Sequence, residues 1–133
     1  MLRPPALDPQ LDAAVAIYAG SGAVGNVRVE VSLHPTAEAA SAQFGPIAEA
    51  LKNPPPDLFG PGTVQTEGQP VYQAEGARSY VTARPDRDGN LVYTDAYRMG
   101  RAVIIVYTLG SDADAVRSVR EGVARRLDGR APR

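Results

Sequence analysis

The sequence predicts one α+β domain: an antiparallel sheet of about five strands with helices packed on it, closed by a C-terminal amphipathic helix. Three observations lead to this fold class. Apolar and polar residues alternate strictly over residues 27–33, which is typical of a half-buried β-strand. Runs rich in β-branched and aromatic residues recur in the second half, separated by turn residues. The segment between Asp112 and Gly129 has an N-cap, an apolar stripe and a terminating glycine. Its predicted solvent-facing arginines are Arg117, Arg120, Arg125 and Arg126.

The length favours a single domain. A chain of 133 residues is a common size for one hydrophobic core. Residues 1–8 are proline-rich and are predicted to be a loose lead-in, residues 9–129 form the domain, and residues 130–133 are a tail.

The first predicted element is a short helix over residues 9–19. Asp8 can cap this helix, and Pro9 suits its first position. A strand is the alternative, because Val15 and Ile17 also follow the two-residue period of a strand.

The strand over residues 27–33 is predicted to end at His34 and Pro35. Thr36 then caps a helix, which Gly45 and Pro46 are predicted to bend or split. The inner face of this helix carries Ala40, Phe44, Ile47, Ala48 and Leu51.

Residues 53–70 are rich in proline and glycine and are predicted to form a long surface loop. Such a loop in a compact domain is more often functional or mobile than a simple connector. Asp57 and Phe59 are its candidate contact residues, together with Glu67. A tolerated insertion is the alternative.

The second half is predicted to be a meander of strands. The run over residues 102–109 is apolar on both faces, so the sheet must be covered on both sides. The helix over 9–19, the loop over 53–70 or a partner subunit is expected to cover the second side. The predicted strands lie near residues 71–74, 78–84, 91–99 and 102–109, with a hairpin connection at 85–90 and a tight one at Gly100 and Arg101.

Composition excludes several classes of function. Fourteen basic and fifteen acidic residues leave a formal net charge of −1, so no strong positive field attracts nucleic acid or an anionic membrane. The absence of cysteine excludes disulfides, thiolate catalysis and cysteine-ligated metals. No run approaches the about 18 consecutive apolar residues of a membrane-spanning helix.

Two motifs match ligand-binding loops in their letters but not in their context. Residues 20–25 match the dinucleotide fingerprint, yet they lead into a strand rather than a helix, which indicates a connector. Residues 86–90 match the start of a calcium loop, but its twelfth position is Tyr97 where a glutamate is needed, which indicates a hairpin turn. His34 is the only histidine and has no metal or triad spacing around it. No cofactor and no metal are therefore predicted.

The remaining candidate is a surface rich in tyrosine. If the strands over 78–84 and 91–99 pair, their aromatic and charged residues can share one face. Tyrosines with a few charges suit a ligand pocket or a protein interface, and packing under the loop is the alternative. The candidate residues are Arg78, Tyr80, Tyr93, Asp95 and Tyr97, with Thr82 beside them.

The second half follows the order EGARSYV, DGN, TDAYRMGRAVIIVYTLGS and VRSVREGVARRL. Over residues 27–128 the chain resembles small extracytoplasmic lipoprotein domains of high-GC bacteria, in which an arginine-glycine turn joins two strands before a closing helix. Residues 97–101 stand where those domains carry an aromatic–Arg–x–Gly–Asn turn. The architecture is similar to the Mog1/PsbP-type α/β/α sandwich. The resemblance implies a binding or sensing module, although the lipobox cysteine of those lipoproteins is not present in this chain.

Three hypotheses follow. The first is a non-enzymatic binding or sensory domain for a small ligand or a protein, extracytoplasmic if the chain is part of a longer protein and cytoplasmic otherwise. The second is a small cavity enzyme with Asp95 as its acid–base carboxylate, because burial among tyrosine rings favours the protonated form of a carboxyl group. The third is a self-associating structural component, such as a homodimer.

Overall fold

The computed structural model describes residues 24–53 and 63–131 and the backbone of residues 12–18. It contains a six-stranded, fully antiparallel sheet with the strand order β1-β2-β6-β5-β4-β3 and two helices. The α+β class, with helices packed on an antiparallel sheet and a C-terminal helix against it, is confirmed. None of the described helices is both long enough and apolar enough to cross a membrane. The elements are β1 (Asp12–Tyr18), β2 (Val24–Leu33), α1 (Ala37–Ala50), β3 (Gln65–Gly68), β4 (Gly76–Thr82), β5 (Leu91–Met99), β6 (Ala102–Gly110) and α2 (Ala113–Arg130).

The helix predicted over residues 9–19 is wrong, because Asp12–Tyr18 is a strand. It pairs with β2 along all seven residues. Tertiary pairing outweighs the helix-start signals here, since Val15 and Ile17 are β-branched residues that suit a strand. The residues of the predicted cap lie outside the described part of the chain.

The alternation predicted for β2 is confirmed. Val27 and Val29 are buried in the core, while Arg28 and Glu30 form an ion pair of 2.9 Å between Nε and Oε2. The strand begins earlier than predicted, at Val24, and its register with β6 shifts between Val24 and Val27.

Helix α1 begins where Thr36 predicts it, because the Thr36 Oγ1 accepts the N–H of Ala39 at 3.0 Å. The expectation that the helix would split is wrong, since α1 continues through Pro46. A proline in a helix removes one hydrogen bond, and both Gly45 and Pro46 lie on the exposed side, so packing of the opposite side is undisturbed. On that opposite side Ala40, Ala48 and Leu51 are buried, and Phe44 and Ile47 are partly buried.

The region after α1 differs from its prediction in two ways. A short strand, β3, lies inside the predicted loop, and no strand forms over residues 71–74. Two side-chain hydrogen bonds of Gln65 hold β3 in place. Its Nε2 donates to the Leu51 carbonyl at 2.7 Å and its Oε1 accepts from Thr94 Oγ1 at 2.8 Å. Instead of forming a strand, Tyr72 and Ala74 pack their side chains against the core. Asp57 and Phe59 lie outside the described residues.

The hairpin connection at residues 85–90 and the tight turn at Gly100 and Arg101 form as predicted. Asp86 Oδ1 accepts the N–H groups of Asp88 and Asn90, both at 2.9 Å, and Gly89 has a φ of +80° that suits glycine. The turn between β5 and β6 places Gly100 at a φ of +59°. This confirms the hairpin interpretation of residues 86–90.

The two helices cover opposite faces of the sheet. Strand β6 lies between β2 and β5 and contributes alternate residues to two separate apolar clusters. The α1 cluster contains Ala48, Leu51, Tyr80, Ala96 and Tyr107. The α2 cluster contains Val24, Val27, Val29, Tyr97, Met99, Ala102, Ile104, Val106, Val116 and Ala124. The second side of the sheet is therefore covered by α1, and not by a helix over residues 9–19.

Candidate functional site

The predicted tyrosine surface is divided between the two faces of the sheet. Tyr80 lies opposite Thr94 and Arg78 opposite Ala96, whereas Asp95 lies opposite Ser79. Residues directly opposite each other share a face. The prediction that Arg78, Tyr80 and Thr82 share a face with Tyr93, Asp95 and Tyr97 is therefore wrong, because a one-residue offset in register reverses the face of every side chain.

On the α1 face, Tyr80 is 1% exposed and Arg78 lies at the rim. The Arg78 guanidinium carbon is 5.6 Å from the centroid of the Tyr80 ring. The same guanidinium pairs with Glu49 at 3.1 Å and with Glu67 at 3.2 Å. Burial raises the pKa of Tyr80. Arg78 therefore links α1, β3 and β4 by exposed ion pairs, while the tyrosine belongs to the core.

On the α2 face, Asp95 is the centre of a buried polar cluster. Arg120 Nε donates to Asp95 Oδ2 at 2.8 Å and Arg120 Nη2 donates to Oδ1 at 2.7 Å, which is a bidentate ion pair. Ser79 Oγ donates to Oδ1 at 2.5 Å. The Arg120 guanidinium carbon also lies 4.9 Å from the Tyr93 ring centroid. Asp95 is buried, so its carboxylate faces protein groups rather than solvent.

Tyr97 is also completely buried, beneath the segment that joins β3 to β4. The ring of Tyr72 meets it edge to face, with centroids 6.2 Å apart, and Tyr72 Oη donates to Asp128 Oδ2 at 2.6 Å. Among the residues that the structure describes, the Tyr97 hydroxyl has no hydrogen-bond partner. Burial raises the pKa of Tyr97, and the charge of Asp95 raises it further. This tyrosine is therefore a neutral core residue.

Arg120 is the residue of this cluster that the sequence prediction placed wrongly. It was expected on the solvent side of the last helix, yet it is only 7% exposed. A signal for its burial was present: Val116, Arg120 and Ala124 are spaced by four residues, and all three form the buried stripe of α2.

An open groove lies beside the segment between β3 and β4. One part, of about 480 Å³, is lined by residues 67–70 and 77–79. The adjoining part, of about 430 Å³, is lined by residues 69–77. We call these two recesses the β3–β4 groove. Ser79 lines it and connects it to the buried Asp95.

Within the described ranges, no three His, Asp or Glu side chains are placed to hold a metal ion. His34 is 3% exposed and follows the end of β2. Its backbone N–H donates to the Arg101 carbonyl at 2.9 Å, and its Nε2 lies 3.4 Å from Ser32 Oγ. Its Nδ1 has no hydrogen-bond partner in the described part of the chain.

The burial of His34 predicts that the free energy of unfolding is lower at mildly acidic pH than at neutral pH. Burial lowers its pKa below the ordinary value of 6.5, so the unfolded chain binds a proton more readily than the folded chain. The free energy of unfolding should therefore fall as pH drops below about 6.5 and level off below the folded-state pKa. Urea unfolding at neutral and mildly acidic pH measures this.

His34→Gln is the control for that prediction, because glutamine keeps a polar side chain and does not titrate. The stability of this variant should change less between the two pH values than that of the parent protein. Equal changes in both proteins would show that His34 does not cause the acid sensitivity.

The fold is similar to a solved structure, the crystal structure of the extracellular domain of PknH from Mycobacterium tuberculosis. The TM-score is 0.56 at 16% sequence identity, and the match covers 88% of this chain and 66% of that chain. This chain thus spans slightly less than two thirds of the length of its neighbour. No family model and no curated protein matches the sequence. The comparison establishes that this fold is also used by an extracellular domain of a bacterial protein.

Proposed function

We propose that this chain is a non-enzymatic recognition domain of an extracytoplasmic bacterial protein, and that the β3–β4 groove binds an extended polypeptide segment of its partner. The fold shared with an extracellular domain supports the location. The structural use of Asp95 supports a role other than catalysis. Its two oxygens accept three hydrogen bonds from Arg120 and Ser79, so this carboxylate serves to hold α2 on the sheet.

The observation that carries the proposal is a stretch of β4 that β3 leaves unpaired. Strand β3 pairs with β4 only from Ser79 to Thr82, so residues 76–78 extend beyond it along the groove. Ala83 donates its N–H to the carbonyl of Val64 at 3.1 Å. Because backbone groups alternate in direction along a strand, Ala77 also directs its N–H and carbonyl towards this edge.

Proline chemistry explains why β3 does not continue along this part of β4. Continuing the β3 register would place Pro70 opposite Ala77. Proline has no N–H and cannot donate to the ladder, so pairing stops there. An extended segment with a free N–H could continue it, which is the β-strand addition used by several peptide-binding domains.

The charges around the groove favour a polypeptide backbone over an ion. Arg78 is already paired with Glu67, and Glu75 accepts the Gly100 N–H at 2.7 Å and pairs with Arg98 at 3.2 Å. Paired charges are poor recognition groups for a further ion, whereas a strand edge recognises backbone amides.

A displayed library of random linear peptides provides the probe. A selected peptide, titrated into isotopically labelled protein, should shift the amide resonances of residues 68–79. Gly68→Leu should weaken binding by at least about tenfold, because it fills the groove. The nearest atom to a Cβ at Gly68 is the Ser79 carbonyl at 4.0 Å, so the fold accepts the change.

Gly122→Leu is the matched control, because nothing outside its own helix lies within 4 Å of an added Cβ at Gly122, and this residue of α2 does not line the groove. It should leave peptide affinity unchanged. Resonance shifts confined to the outer surface of α2, or equal weakening by both substitutions, would contradict the proposed groove.

A further inference from the structure

Gly76 is the first residue of β4, and the Phe44 ring of α1 lies over it. A Cβ added at Gly76 would meet two ring carbons of Phe44, at 3.1 and 3.2 Å. The ring therefore occupies the place that a side chain of residue 76 would take. Phe44 is only partly buried against the α1 cluster, so an apolar ring remains accessible at the start of β4.

A segment bound in the β3–β4 groove would have a defined register against β4. Ala77 directs both of its backbone groups to the groove, so one residue of an antiparallel segment exchanges two hydrogen bonds with it. The next residue of the segment then lies opposite Gly76 in a non-hydrogen-bonded pair, in which side chains approach most closely. We call this next residue the anchor residue. Its side chain lies on the same face as Phe44, because directly opposed residues share a face.

We infer that the anchor residue is a β-branched apolar or an aromatic residue, and that Phe44 is the residue of this chain that selects it. This inference rests on the proposed function, because it needs a segment paired with Ala77. Cross-strand pairs of an aromatic ring with a β-branched or a second aromatic side chain stabilise a sheet. Gly76 supplies no side chain for such a pair, and the Phe44 ring stands in its place.

The charged groups nearest to Gly76 are already paired with each other. Arg98 lies opposite Gly76 on β5, and its Nη1 donates to the Gly100 carbonyl at 3.1 Å. Its Nη2 pairs with Glu75 at 3.2 Å. A charged anchor residue would lose water beside an apolar ring without gaining an opposite charge from this pair, and such a loss is costly. These surroundings therefore favour an apolar anchor residue.

Substitutions in a library-selected peptide test the inference on the parent protein. The anchor residue is the one whose Hα shows a nuclear Overhauser effect to the Gly76 Hα protons, because these atoms lie close in a non-hydrogen-bonded antiparallel pair. Changing the anchor residue to alanine or to glutamate should weaken binding by at least about tenfold, because apolar contact with the ring is lost. Proline at the preceding position should abolish binding, because it removes the N–H that pairs with the Ala77 carbonyl.

Phe44→Lys tests the selecting residue itself. The aliphatic part of lysine can keep contact with the sheet while its charge replaces the ring. The ratio of affinities for the apolar-anchor and glutamate-anchor peptides should fall by at least about tenfold relative to the parent protein. This ratio does not depend on how much of the variant folds, because both peptides bind the same folded protein. Ala42→Lys is the matched control: it adds the same charge at an exposed position of α1 and should leave the ratio unchanged.

The outcomes separate this inference from the proposed function. If proline abolished binding but alanine at the anchor residue did not weaken it, the groove would stand and the selection by Phe44 would be wrong. An equal change of the affinity ratio in Phe44→Lys and Ala42→Lys would have the same meaning. A selected peptide that contacts neither Gly76 nor Ala77 would overturn both the groove and the inference.

Discussion

Asp95→Leu should lower the free energy of unfolding by about 3–5 kcal/mol, because it leaves the Arg120 guanidinium buried without its partner. The side chains of Asp95 and Arg120 are only 1% and 8% exposed, so water cannot replace the lost contacts. Arg120→Met should cost a similar amount for the same reason. Urea denaturation monitored by circular dichroism measures both changes.

The double variant Asp95→Leu/Arg120→Met should be more stable than either single variant. Replacing both members of a buried ion pair by apolar residues removes the unpaired charge, and the outcome in other proteins ranges from neutral to stabilising. Glu121→Ala is the surface control: it removes the exposed ion pair with Arg117 on the same helix and should cost only about 0.3–0.5 kcal/mol. A cost for Asp95→Leu no greater than this would show that the buried pair does not hold α2 in place.

The second large effect is expected at Tyr97. Tyr97→Ala should lower the free energy of unfolding by about 3–5 kcal/mol, as for other large aromatic residues truncated in a core. Tyr97→Phe should instead leave stability unchanged or raise it. The Tyr97 hydroxyl is buried and has no hydrogen-bond partner among the described residues, and burying such a hydroxyl costs about 1–3 kcal/mol in desolvation. Chemical unfolding of both variants distinguishes the contribution of the ring to stability from that of the hydroxyl.

Tyr72→Phe provides the matched control, since it removes the same hydroxyl from a tyrosine that uses it. The Tyr72 hydroxyl donates to Asp128, so its loss should destabilise the fold by about 1 kcal/mol or more. If Tyr97→Phe proved more damaging than Tyr72→Phe, the Tyr97 hydroxyl would have to bind a partner in solution, and Tyr97 would return as a candidate ligand residue.

Short-range patterns account for the elements that were predicted correctly. The alternation in β2, the Thr36 cap of α1 and the glycine of the β4–β5 turn each depend on neighbouring residues. Strand β1 could not be separated from a helix in this way, because its residues satisfy both periods and only pairing with β2 decides between them. The strand β3 likewise depends on the distant bond from Gln65 to Thr94.

The candidate site depends on contacts that local sequence patterns cannot predict. The sequence by itself determined the fold class, most strands of the second half and the amphipathic closing helix, because period and capping are local properties. Only the tertiary structure decided which residues of β4 and β5 share a face, since two registers one residue apart suit the alternation equally well. The observed register buries Asp95 against Ser79 and Arg120, which lie 16 and 25 residues away. The free energy of such a contact depends on three-dimensional geometry that no local pattern contains. For that reason the predicted tyrosine residues lie on opposite faces of the sheet, with Tyr80 in one apolar cluster and Tyr97 in the other.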